Sequence, residues 1–153
     1  MQDIIRIFEQ KRPPEVIKED PVAVLIIEES GITLFSFKFK TNHIDDQLIG
    51  AYFSALTSFG NEVFKGSGTI DQIIFHEFTV LMRKVSEFTF CYVFKGESHS
   101  ALERLENFIF QIKSTQMIWK NLEESVKAKK KLKVTKVIQS IVSGIFVPLS
   151  CIK

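Results

Sequence analysis

The side chains best suited to chemistry in this 153-residue sequence are three histidines, two cysteines and an adjacent pair of aspartates. His43, His76 and His99 fall in three separate polar stretches, with no second histidine or cysteine at metal-ligand spacing. They read as solvated turn residues. Cys91 lies inside the apolar run FTFCYVF, where a thiol is buried and inert rather than nucleophilic. Cys151 is third from the end, which departs from the four-residue prenylation pattern, and little supports palmitoylation there. Asp45 and Asp46 would serve as an acid/base pair only with a cleft and another carboxylate facing them. At the start of a helix their charge already has a use beside the free N–H groups. Lys65-Gly66-Ser67-Gly68 lacks the spacing of a phosphate loop and reads as a turn. The expectation is a protein that is not an enzyme and needs no metal or cofactor.

A second chemical feature is positive charge. Residues 1–120 hold 13 Lys+Arg against 16 Asp+Glu, whereas residues 121–153 hold 7 Lys against 2 Glu. Lys127, Lys129, Lys130, Lys131, Lys133 and Lys136 make up most of the excess. Three readings stand side by side: a solvated charged face, a basic amphipathic helix lying on an anionic membrane, and nucleic-acid binding. The third is disfavoured, because the run has no interleaved aromatics and the remaining chain is acidic.

Composition bounds the rest. Hydrophobic content of 45% with 25% charged residues fits one soluble domain. Fifteen Phe, mostly inside periodic segments, are enough to fill a bulky core. Two cysteines without a CxxC spacing favour a reducing compartment, hence a cytoplasmic protein. The N-terminal stretch lacks the features of a secretory signal. The longest uncharged run, 137–152, has 16 residues, short of the roughly 20 mostly apolar ones that span a bilayer.

These side chains must be placed by the elements around them. Residues 22–27, VAVLII, are apolar at odd and even positions alike, as in a strand covered on both faces. Glu29-Ser30-Gly31 turns the chain, and residues 32–39 return as the second strand of a hairpin. A helix is expected over 44–64 with two apolar stripes. Leu48, Ala51 or Tyr52, Ala55 and Phe59 form one; Ile49, Phe53, Leu56 and Val63 form the other. Strands follow at 69–75, 78–84 and 88–94, the last again apolar on both faces and the natural neighbour of the first. A second long helix is expected from Ser98 to about Lys120, with Leu102, Leu105, Ile109 and Ile112 inward. A short helix at 3–10 ends at Pro13-Pro14. The chain thus divides into an N-terminal helix and linker (1–20), a core domain (21–120) and a basic helical tail (121–153) stopped at Pro148.

The resulting class is α+β: a five-stranded antiparallel sheet between helices, in the order β-β-α-β-β-β-α, with a C-terminal helical extension. With the first strand VAVLIIE, the Glu-Ser-Gly turn, GITLFSFKF and the helix segment AYFSALTSFGNEVF, the chain resembles the longin and roadblock superfamily of profilin-like domains. The similarity continues through IDQIIFHEFTVLMRK and FTFCYVFKGESHSALERLENFI, and the texture agrees best with the longin branch. A helix before the first strand is a roadblock feature, and extra helices after the last are a longin feature. What the resemblance implies is a non-enzymatic platform that binds small GTPases or trafficking-type proteins, often by pairing with a like domain.

Since one stripe of the 44–64 helix packs on the sheet, the other meets a terminal segment or a partner. Ile49, Phe53, Leu56 and Val63 are the expected partner surface, together with Ile70 and Gln72 on the third strand, an edge able to pair with its copy in a homodimer. The alternative is a small-ligand sensor with a pocket between sheet and helix. Localisation is expected to be cytoplasmic, with peripheral contact to a membrane through the lysines, and nucleic acid is not an expected partner.

Overall fold

The structure is a computed structural model that describes residues 19–39, 45–65, 70–96 and 98–146. The expected helix at 3–10, His43, the Gly66–Gly68 turn, Pro148 and Cys151 lie outside these residues.

Strand β1 (Asp20–Glu28) pairs antiparallel with β2 (Thr33–Lys38) on one side and with β5 (Phe88–Lys95) on the other. Strands β4 (Phe78–Val85) and β3 (Gln72–Ile74) complete a five-stranded sheet in the order β2-β1-β5-β4-β3. The two strands with apolar residues on both faces are therefore adjacent and central. Residues Val22 to Ile27 are all at most 2% exposed, which is what their uninterrupted apolar run requires. Pro21, which has no N–H to donate, sits where the register of β1 on β5 shifts. Gly31 makes the hairpin turn with φ of 96°, a conformation that glycine adopts without penalty.

The faces of the sheet are covered unequally. One carries Val24, Ile26, Phe88, Phe90, Tyr92 and Phe94 beneath three helices: α2 (Ala101–Ser114), α3 (Gln116–Lys127) and α4 (Thr135–Ile145). Phenylalanine fills this layer: the Phe108 and Phe146 rings stand 5.9 Å apart, and Phe146 lies 4.4 Å from Tyr92. The other face, with Val22, Leu25, Val80, Met82, Cys91 and Val93, is covered among the described residues by α1 (Asp46–Val63) alone.

Three helical expectations are corrected. The second long helix does not run to Lys120 but breaks at Thr115, whose backbone is extended and whose hydroxyl donates to the Gln111 carbonyl at 2.9 Å. Nor does Ser98 cap that helix: Ser100 takes the N-cap position, while the Ser98 hydroxyl accepts the Ser100 N–H at 3.1 Å. Finally, the lysine-rich segment is not one helix. Residues 128–134 form a non-helical connection because Leu132 and Val134 turn into the core and Asn121 accepts the backbone N–H groups of Lys133 (2.9 Å) and Val134 (3.3 Å). Apolar residues of this tail, Ile138, Val142 and Phe146 included, are fully buried against the sheet side of α2.

Candidate partner-binding surface

Helix α1 begins at Asp45, whose carboxylate accepts the N–H groups of Gln47 (3.0 Å) and Leu48 (3.1 Å). Capping accounts for this aspartate without any acid/base role. The helix lies close to the β1–β2 hairpin. Gln47 exchanges two 3.4 Å hydrogen bonds with the Thr33 backbone, and the Ser54 hydroxyl donates to the Glu29 carbonyl at 3.3 Å. Gly50 is buried against Gly31 at the same contact.

This contact reverses the expected roles of the two stripes. Phe53 is only 4% exposed and belongs to the core, and Ile49 is half-buried against it. Leu56 is also half-buried, and Ile70 packs beside the same core. Of the expected partner residues, Val63 and Gln72 are exposed. The stripe assigned to the sheet is instead the outer one, with Leu48 at 68%, Tyr52 at 49% and Phe59 at 67% exposure. Apolar spacing alone gives two equivalent stripes. The distinguishing signal was the row of small residues Gly50, Ser54 and Thr57, which marks the side of closest approach.

The outer face of α1 is unusual for a helix in water. From residue 47 to 61 it carries no charged side chain, whereas a surface helix normally presents charged or polar residues away from the core. Phe64, just beyond the helix, and Phe75, just beyond β3, extend the exposed apolar area. An open apolar groove of about 490 Å³ runs along the helix, with Leu48 and Tyr52 on one wall, Phe75 and Phe78 on the other, and Val80 and Val93 at its floor. Strand β3 is a sheet edge, bonded only to β4 among the described residues. The pleat puts Ile73 on the α1 side and Gln72 and Ile74 on the opposite side.

No catalytic or metal-binding constellation is present among the described residues. No group of three His, Cys, Asp or Glu comes together there. His76 and His99 are exposed in bends. Cys91 is fully buried and burial pushes its thiol well above the ordinary value. A part-buried polar cluster lies across the sheet from α1. Glu19 accepts hydrogen bonds from the Tyr92 hydroxyl, from Ser98 at 2.5 Å and from the Arg104 guanidinium. These bonds pin the entry of β1 to the start of α2, and sequence reading missed them because the partners are some 70 to 85 residues apart.

The six lysines stand in two settings. Lys127 ends α3 and Lys136 lies in the first turn of α4, while Lys129, Lys130, Lys131 and Lys133 lie on the connection between them. All six are exposed. Among the described residues no helix is long and apolar enough to cross a membrane.

No protein-family model and no curated protein matches the chain. Solved structures do. The chain is similar in fold to roadblock proteins. A Roadblock/LC7 domain from Streptomyces avermitilis is 16% identical, with 57% of this chain and 77% of that one covered and a TM-score of 0.42. MglB from Myxococcus xanthus is 12% identical over 56% of this chain and 74% of that one, at a TM-score of 0.42. The gliding protein MglB from Thermus thermophilus is 7% identical over 76% and 86%, at 0.46.

Proposed function

We propose that this protein is a non-catalytic platform that pairs with a second copy of itself through the outer face of α1 and edge strand β3, and binds a small GTPase or trafficking-type protein. The observation that carries the pairing is the uncharged run from residue 47 to 61, which leaves Leu48, Tyr52 and Phe59 in water. Such anchors lower their free energy by excluding water against a partner, and a self-complementary patch does so across a two-fold axis. The GTPase role rests on the resemblance to longin and roadblock domains read from the sequence. Its test is a pull-down of small GTPases from the source cell's lysate with the full chain, in GDP and in a non-hydrolysable GTP analogue, identified by mass spectrometry. A GTPase captured in one nucleotide state and lost with Leu48→Asp/Phe59→Asp is the expected result. Absence of any GTPase in either state removes that role.

A second reading has its own observation. The groove of about 490 Å³ between α1 and the sheet is large enough for a small apolar ligand and is lined almost wholly by apolar side chains. A ligand there raises the melting temperature by mass action, so a thermal-shift screen of apolar metabolites separates a sensor from a platform that ignores them.

A further inference from the structure

The α3–α4 connection concentrates charge in a way nothing else in the chain does. Residues 127–136 contain six lysines and no acid, so the remaining chain, with fourteen basic and eighteen acidic residues, is net negative. Elsewhere four cations of the described residues are ion-paired: Arg83 with Asp71, Lys84 with Glu29, Lys95 with Glu77 and Arg104 with Glu19. None of the six lysines has an ion pair among the described residues, and no acidic residue follows Glu124. The connection is also held in place. Leu132 and Val134 are 9% exposed and anchor it in the core, and Asn121 accepts the N–H groups of Lys133 and Val134. The end of α3 at Lys127 and the buried Leu132 and Val134 hold the lysine run at both ends, and its lysine side chains are exposed.

The geometry points to this connection as a docking site for an anionic lipid surface. A bilayer is a flat sheet of charge that one edge of a protein can touch while its acidic remainder stays in solution. A nucleic acid would need a longer positive track or exposed stacking rings. The ten-residue run has no aromatic, and nearby Trp119 is turned inward, 5.2 Å from Phe88. Val137, 40% exposed beside Lys136, adds an apolar side chain at headgroup depth. The lysines belong to the three-helix layer and the outer face of α1 lies across the sheet, so lipid and protein partners do not compete for one surface. This inference does not depend on what α1 binds.

The test is vesicle flotation of the full chain with phosphatidylcholine alone and with phosphatidylcholine and phosphatidylserine at roughly three to one. We expect the protein to float with the anionic vesicles only, and to be released on raising salt from about 0.1 M to about 0.5 M. Lys129→Glu, Lys130→Glu and Lys131→Glu together should weaken binding at least roughly a hundredfold, since each lysine near such a surface contributes roughly fivefold. Replacing the same three by Arg should keep it. All three side chains are solvent-exposed, so an unchanged circular dichroism melt shows that the fold is intact. Equal flotation with neutral vesicles, undiminished binding by the glutamate variant, no binding to anionic vesicles, or tighter binding to a single-stranded RNA oligonucleotide would each overturn the inference. The Leu48→Asp/Phe59→Asp variant should float like the parent, so failure here and failure of the pairing surface are separate results.

Discussion

A Cβ placed on Gly50 would stand 2.5 Å from the Gly31 carbonyl oxygen and 2.7 Å from the Thr33 hydroxyl, and neither belongs to a side chain that can swing far away. Glycine in a helix interior normally costs about 0.5–1 kcal/mol relative to alanine, so alanine there is usually stabilising. Here the sign reverses: Gly50→Ala should lower stability by about 1–3 kcal/mol through overpacking, read as a lower urea midpoint. A second residue-scale expectation concerns pH. Burial, then the hydrogen bond to Glu19 and its charge, hold the Tyr92 hydroxyl well above its ordinary 10.0, and burial alone raises Cys91 above 9.0. Both groups stay neutral in the fold, whereas the unfolded chain ionises at the ordinary values. Their contribution is therefore complete below about pH 9 and is lost as pH rises beyond it. Thermal melts should hold level up to that pH and fall above it. Tyr92→Phe keeps the ring against Phe94 and Phe146, costs about 1 kcal/mol at neutral pH, and should flatten the decline above pH 10.

At the scale of elements, the strands were readable and the helix ends were not. Runs such as VAVLII and FTFCYVF, short and rich in β-branched or aromatic residues, fit a strand buried on both faces, and β1 and β5 lie side by side at the centre of the sheet. The break at Thr115 has no such marker, because residues 98–120 contain neither Gly nor Pro. It is set by tertiary packing, which needs Ile112 and Ile118 in one core. The lysine-rich connection was misread as helix for a related reason: its apolar residues fit a broad helical face, and only the long-range bonds from Asn121 show that they anchor a loop. Asn121→Ala leaves the Lys133 and Val134 N–H groups without that acceptor. We expect a loss of about 1–2 kcal/mol and faster hydrogen exchange at those two amides, with the α1 side of the sheet unaffected.

The whole molecule is lopsided. Among the described residues, three helices seal one face of the sheet, while a single helix with an uncharged outer side and an open groove covers the other. The tail that could have folded over α1 lies on the opposite face, in contact with Tyr92 and Phe108 through Phe146. Among the described residues, no other segment covers the exposed stripe of α1. Sequence periodicity offers two apolar stripes, and Ile49 and Phe53 of the one expected to meet a terminal segment or a partner lie inward. In the observed phase of the helix Gly50 faces the hairpin, where a Cβ would stand 2.5 Å from the Gly31 carbonyl oxygen, and Phe53 enters the core. Sedimentation velocity over a range of concentrations, with the full chain and with Tyr52→Asp/Phe59→Asp, tests the pairing surface most directly. A concentration-dependent dimer that the double variant turns into a monomer with an unchanged melting temperature is the predicted result. A wild-type chain that stays monomeric at every concentration, or a variant that still dimerises, would contradict it.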